Sequence, residues 1–382
     1  MDARRHITHV LVALLSVLIA AVSQAQSGAG AHVHAGDMWY KQMAYAKAIP
    51  EYNVAAEMGA VNEHVTKRLA DSYMRIGDTE NAERWYAQVV KFLNREPRDL
   101  YNYAQALKGN GKYAAAEEWM DRYLAAAGSG EQPQRSNIED FAKKFSMGMD
   151  RFTVHSTAIN TPYTDMAPAW LGSRNVIFSS SRNRKVGLDR VAAYDGQPFL
   201  DLFIADRGPN GELTDPRPLE GTVNSKAHEG PVVCSADQSS MWLTRNNKAK
   251  SQNGVSRLSL LRAQRMGDSW GVTEPFVYNN SEVSIGHPAL SPDGQRLYFV
   301  SDMPGGSGGT DIYVCRMQGG QWSEPENLGT TVNTPWNEMF PFIARDGTLW
   351  FSSNGHPGLG GLDVFAAQAG APYRPGQEFA AE

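Results

Sequence analysis

The sequence predicts an α+β multidomain chain, an N-terminal α-solenoid followed by an all-β propeller with four recognisable blades. Two periods and one compositional gradient predict it. Residues 33–127 repeat every 34 residues with helical spacing, and residues 151–382 repeat every 53 to 64 residues with strand-forming runs. Glycine numbers 5 in residues 33–127 but 14 in residues 301–382, so the two ends need different backbones. At about 150 residues per domain, 382 residues suffice for two or three domains, each with its own core. A net charge of −5 with 42% hydrophobic residues excludes a polybasic nucleic-acid binder and a wholly disordered chain.

The first element reads as an address. Arg4, Arg5 and His6 precede the apolar run Val10–Val22, and Ser23-Gln24-Ala25 puts small residues at positions −3 and −1 of a cleavage after Ala25. Residues 1–25 are therefore expected to be a secretory signal peptide. An uncleaved anchor is the alternative, but the run falls short of the roughly 20 residues that cross a hydrocarbon core. No cysteine stands near the cleavage point to carry a lipid. Export to the periplasm or outer envelope is expected, with no membrane span after cleavage. In that oxidising space Cys234 and Cys315 could pair, yet the repeat puts one early in its unit and the other late in the next. With no CxxC spacing or local histidine, two buried apolar thiols are expected before a disulfide or a nucleophile.

Over residues 33–127 small residues recur at Gly36, Ala70 and Ala104, and large ones at Trp39, Tyr73 and Leu107. Gly77 and Gly111 mark a turn, followed by Ala48, Ala82 and Ala116 and then Tyr52, Tyr86 and Met120. Small residues where two helices cross, large ones in the neighbouring hole and glycine at the bend define a stacked helix-turn-helix unit, here three tetratricopeptide (TPR) repeats. Unit one departs at Met43, where the turn glycine is absent, and at Pro50, which is expected to kink or weaken its second helix. Such arrays grip partners on a concave face, and Lys67, Met74, Tyr101, Gln105 and Lys108 fall on the first helices that line it. The plainer alternatives are a solvated face or a surface docked on the chain's own second domain. Asp71 among the lysines argues against a carboxylate clamp, and Trp85, Tyr86 and Trp119 sit at core spacing.

Residues 128–150, opening on Gly128-Ser129-Gly130, carry neither period and read as a linker. Beyond it one template recurs at Asn160–Pro168, Asn224–Pro231, Asn280–Pro288 and Asn333–Pro341. Each is followed by a β-rich run: Val176–Ser180, Met241–Thr244, Leu297–Ser301 and Leu349–Ser353. Asp293-Gly294 and Asp346-Gly347 are expected to be type I′ hairpin turns. Third strands start near Asp201, Leu258, Asp311 and Asp363, and fourth strands lie near Asp215–Leu219, Trp270–Pro275 and Trp322–Leu328. Four strands per unit at this period are blades of a β-propeller. Tyr373, Pro375 and Phe379 read as a degenerate last strand, and residues 152–158 as an outer strand that closes the ring. The ring is expected either to close at four blades or to lack one or two.

Ser291-Pro292-Asp293-Gly294, the run Leu297–Asp302 and Asp311-Ile312-Tyr313 resemble the PD40 (WD40-like, TolB-type) propeller repeat. Preceded by TPR units and a signal peptide, the chain is similar over residues 33–366 to the periplasmic TPR-propeller proteins of Bacteroidota, the N-terminal part of the PorE/OmpA-family envelope proteins. That resemblance implies an envelope scaffold that binds other envelope proteins, as in type IX secretion or gliding motility. The OmpA-like module that holds peptidoglycan in that family has no counterpart here, so peptidoglycan contact is not implied.

Apparent catalytic signals have plainer readings. Gly305-Gly306-Ser307-Gly308-Gly309 matches the G-x-S-x-G nucleophile elbow, but it joins two blade strands where a strand-turn-helix is required. The equivalent loop carries Leu359 in place of Ser307. Asp311 and Asp363 after Gly-rich loops could ligate calcium, yet an Asp tying down backbone N–H groups is the expected role. His228 and His287 lack a third ligand. No catalytic residue, cofactor or metal is assigned. The expected function is non-enzymatic scaffolding, with a secreted propeller enzyme acting on glycan or peptide, or a ligand-sensing propeller, as the alternatives.

Overall fold

The computed structural model describes residues 28–127, 155–182 and 191–368. The expected signal peptide, the linker and the degenerate last strand lie outside the described residues. Of the expected outer strand, residues 155–158 are described and form no strand. No helix among the described residues is long and apolar enough to cross a membrane. The chain divides into two compact units, one built from the residues up to Asn110 with Glu118–Tyr123 and Ala193–Gly196, the other containing the strands.

Among the described residues the N-terminal part of the chain contains six helices: α1 (28–41), α2 (Tyr45–Glu57), α3 (Glu63–Arg75), α4 (Thr79–Val89), α5 (Pro97–Gly109) and α6 (Tyr113–Ala127). Local chemistry sets their starts. Asn62 caps α3 by accepting from Val65 N, and Asp78 caps α4 by accepting from Asn81 N. Glu96 and Asp99 form a reciprocal capping box around Pro97, whose missing N–H is harmless in a first turn. The 34-residue period has a physical basis in pairing. Tyr52 Oη donates to Asp37 at 2.7 Å, and one period later Tyr86 Oη donates to Asp71 at 2.5 Å. Gly36 must be small, because a Cβ there would come within 2.6 Å of the Tyr52 ring. Pro50 lies inside a continuous α2. The bend that lacks glycine adopts the glycine conformation anyway, with φ 57° at Met43 against 81° at Gly77 and 71° at Gly111.

The strands of the second unit form four antiparallel sheets. Blade 1 contains β1 (Asp165–Leu171), β2 (Asn175–Ser180), β3 (Asp201–Arg207) and β4 (Leu213–Pro218). Blade 2 contains β5 (Glu229–Cys234), β6 (Ser240–Asn246), β7 (Leu258–Met266) and β8 (Ser269–Pro275). Blade 3 contains β9 (Ile285–Leu290), β10 (Arg296–Ser301) and β11 (Asp311–Gln318), with its outer strand broken into β12 (Gln321–Trp322) and β13 (Glu326–Asn327). Blade 4 shows β14 (Glu338–Ile343), β15 (Leu349–Ser353) and β16 (Asp363–Ala367). Pro216 and Pro218 fall on the outermost strand of blade 1, where a missing donor is tolerated.

Innermost strands pack in series, β1 on β5, β5 on β9 and β9 on β14, which makes the array a four-blade β-propeller. Among the described residues β14 makes no comparable contact with β1. Apolar cores fill the joints: Ile177 and Leu202 meet Met241 and Leu243, Trp242 and Leu260 meet Leu297 and Phe299, and Val300 and Ile312 meet Leu349 and Phe351. The hairpin turns differ from expectation. Gly294 (φ 67°) and Gly347 (φ 87°) are left-handed but Asp293 and Asp346 are not. Gly294 N donates to Ser291 O at 2.8 Å, a type I turn with Pro at its second position and glycine at its fourth. A two-residue type I′ loop would need both central residues left-handed.

Candidate functional site

An asparagine ties each later blade to the one before it. Asn224 accepts from Leu202 N at 2.6 Å and donates to Leu202 O at 3.0 Å. Asn333 does the same with Ile312 at 2.8 and 3.0 Å, and Asn279 with Leu260 at 3.0 and 2.7 Å. The third template therefore starts at Asn279, one residue before the expected Asn280. Its loop is longer, and Asn280 instead accepts from Glu282 N and Val283 N within it.

Behind these asparagines, acids stand at the head of the first strands. Glu229 is buried, paired with Arg245 Nε at 2.9 Å and accepting from the Ser225 hydroxyl. Glu338 is buried and accepts from Thr334 N, Thr334 Oγ1 and Ser353 Oγ at 2.8, 2.7 and 2.6 Å. Loss of hydration pushes both carboxyls up to about 7. Asp165, less buried, accepts from Ser180, Thr161 and Arg182, and the donors outweigh its desolvation and hold it below the usual carboxylate range. Each of these acids fastens the template loop to its own second strand.

Asp311 takes the role expected of it, accepting from Ser307 N and Gly308 N, and Asp363 likewise accepts from Gly360 N. Ser307 thus belongs to a loop between β10 and β11, outside any strand-turn-helix. His228 Nδ1 accepts from Leu200 N at 3.1 Å. His287 is buried, stacked on Phe340 at 4.3 Å, and burial lowers its pKa to about 4. Both cysteines are free, Cys315 buried and Cys234 half-buried, and burial pushes both thiols up to about 12, away from nucleophilic thiolate. Among the described residues no group of three His, Cys, Asp or Glu side chains is placed to hold a metal.

On the helices, the five expected groove residues do not form one exposed patch. Tyr101, Gln105 and Lys108 are buried, with Tyr101 edge-on to Tyr123 at 5.3 Å. Lys67 pairs with Asp99 at 3.0 Å and Glu96 at 3.3 Å, and Met74 is half-buried. The same helices present a polar cluster that sequence reading passed over. Arg68 lies over the Tyr40 ring at 4.1 Å, Tyr40 Oη donates to Asp71 at 3.3 Å, and His64 meets Asp37 at 2.8 Å. Its signal was available, since Asp37 and Asp71 are 34 residues apart, like Tyr52 and Tyr86.

No family model and no curated protein matches this chain. Solved structures do match. A puromycin-hydrolysing peptidase of Mycobacterium tuberculosis aligns at 14% identity over 55% of this chain, with a TM-score of 0.31, and the chain spans 37% of that peptidase's length. An α-L-arabinofuranosidase from Lactobacillus brevis aligns at 12% identity over 52% of this chain and 70% of its own, TM-score 0.33. A gluconolactonase from Xanthomonas campestris aligns at 15% identity over 53% and 72%, TM-score 0.27. Likeness of this degree carries no argument about activity.

Proposed function

We propose that the chain is a non-enzymatic adaptor of the cell envelope, exported by its N-terminal signal and built from a TPR solenoid and a PD40-type propeller. One observation supports this reading above the others: the recurrent acids that an active site would use are tied up as fasteners. Asp311 and Asp363 hold backbone amides, and Glu229 and Glu338, at 0% exposure, hold loop and strand hydroxyls. Repeat arrays with such interiors work through their surfaces. The partners are envelope proteins, as the family resemblance implies, in an assembly of the type IX secretion or gliding-motility kind. Lys67, Met74, Tyr40 and Arg68 are the helix residues offered to a partner.

A second reading, a propeller enzyme acting on glycan or peptide, draws on the carboxyls of Glu229 and Glu338 raised to about 7. Their complete burial leaves no path to a substrate atom. Affinity capture from envelope fractions, with mass spectrometry and parallel turnover assays on glycans and peptides, separates the two. A partner held in stoichiometric amount by the wild type and lost on Arg68→Glu is the expected result. Turnover by the purified chain would overturn the reading.

A further inference from the structure

We propose that a second copy of this chain docks head to tail on the first, the forward face of blade 4 in one copy closing on the rear face of blade 1 in the other. The proposal goes beyond the adaptor reading and stands on continuity with the three joints inside the array.

Strand register makes Leu202, Leu260, Ile312 and Val364 equivalent, through their second-strand partners Ser179, Thr244, Val300 and Ser352. The first three are 0% exposed, and the next blade's asparagine clamps the N–H and C=O of each. Val364 is 55% exposed. On the first strands, Ala169, Val233, Ala289 and Phe342 are equivalent through their partners Ile177, Trp242, Tyr298 and Trp350. The first three pack into the joint with the following blade, whereas Phe342 is 55% exposed. The rear faces show the reverse. Cys234, Leu290 and Ile343 pack against the preceding blade, and the equivalent Trp170 is 57% exposed with Arg207 over its ring at 5.4 Å. Asn160 occupies the clamp position of blade 1. It is exposed, accepting from the Thr157 hydroxyl at 2.6 Å.

Each end of the array therefore carries one half of a joint that the chain forms three times within itself. Among the described residues Asn160 has no third strand to clamp, Val364 has no clamping asparagine, and Trp170 does not meet an apolar face like the one that Phe342 and Val364 present. With no β14–β1 packing like that of the inner joints among the described residues, a second copy supplies both halves. Two copies then place about eight blades in a ring, the upper end of the usual range, with both seams related by a twofold axis.

Sedimentation velocity over a concentration series tests this. A dimer is expected. Val364→Asp and, separately, Trp170→Asp should each raise the dissociation constant at least about a hundredfold, because a charge is driven into a closed apolar joint. Asn160→Ala should raise it about tenfold through two lost hydrogen bonds. Met266→Asp, on a residue 60% exposed at a hairpin end, should change nothing. Mixing the Val364→Asp and Trp170→Asp chains should restore a dimer through the one intact seam. Circular dichroism checks that each variant folds, and Phe342→Ser replaces Val364→Asp if it does not. A chain that stays monomeric at every concentration, a dimer that survives both aspartates, or one lost in only one of the two aspartate variants would overturn the proposal.

Discussion

Met43 is left-handed at φ 57° where its counterparts one and two periods on are glycines. A side chain pays roughly 1 kcal/mol for that conformation, and Met43, 38% exposed, recovers little of it by burial. Met43→Gly is therefore expected to stabilise the helical unit by up to about 1 kcal/mol, read as a higher denaturant midpoint, and a lower midpoint would show that its packing outweighs the strain. The same conformation recurs at Ala167, His287 and Phe340, with φ 52°, 50° and 51°, each immediately before a proline in the first strand of its blade. There the strand pairing shifts register, a bulge that re-aims the chain after the buried acid or its equivalent.

At the scale of elements, the clamp asparagine links neighbouring blades through the backbone. Asn333 is buried, holds both polar groups of Ile312 and accepts no substitute, since an alanine leaves a buried N–H and C=O without partners. Asn333→Ala is expected to lower stability by about 2–4 kcal/mol, measured by urea unfolding, and a loss under about 1 kcal/mol would mean that the apolar joint alone holds blade 4. The asparagines were legible in the sequence because a repeated structural need repeats a residue. The slip from Asn280 to Asn279 was not, because two adjacent asparagines satisfy the same template and a single extra loop residue leaves no periodic trace. Second strands were equally legible, since alternation between two buried faces leaves continuous apolar runs such as Leu297–Ser301. Burial of Tyr101, Gln105 and Lys108 was invisible, because helical period gives the face of a residue but not what lies over it. Acidic fasteners were half-legible: spacing placed Glu229 and Glu338 in the template, while their burial came only from the packed blades.

For the whole molecule, those buried groups set an unusual pH dependence. Glu229 and Glu338 titrate near pH 7 when folded against about 4.5 unfolded, so the folded state binds their protons more tightly. Stability from them is fully present below about pH 4.5 and is lost as pH rises through 7. His287 runs the other way, its pKa near 4 when folded against 6.5 unfolded, and His356 is lowered in the same direction by burial. Their contribution is present above pH 6.5 and is lost as pH falls toward 4. Between pH 8 and pH 6 each acid gains on the order of 1 kcal/mol, and His287 loses somewhat less, because its unfolded imidazole is already largely protonated at pH 6 while the buried one stays neutral. The chain should thus melt at a higher temperature at pH 6 than at pH 8, and stability should fall again below about pH 4 as Asp165, held below its ordinary value of 3.8, protonates and loses Arg182. Glu338→Gln, a neutral side chain of the same shape, is expected to remove more than half of the change between pH 8 and pH 6, because the histidines oppose the two acids. A thermal scan in which the wild type melts higher at pH 8, or in which Glu338→Gln keeps the full difference, would show that Arg245 and the surrounding hydroxyls hold these carboxylates ionised within the blades.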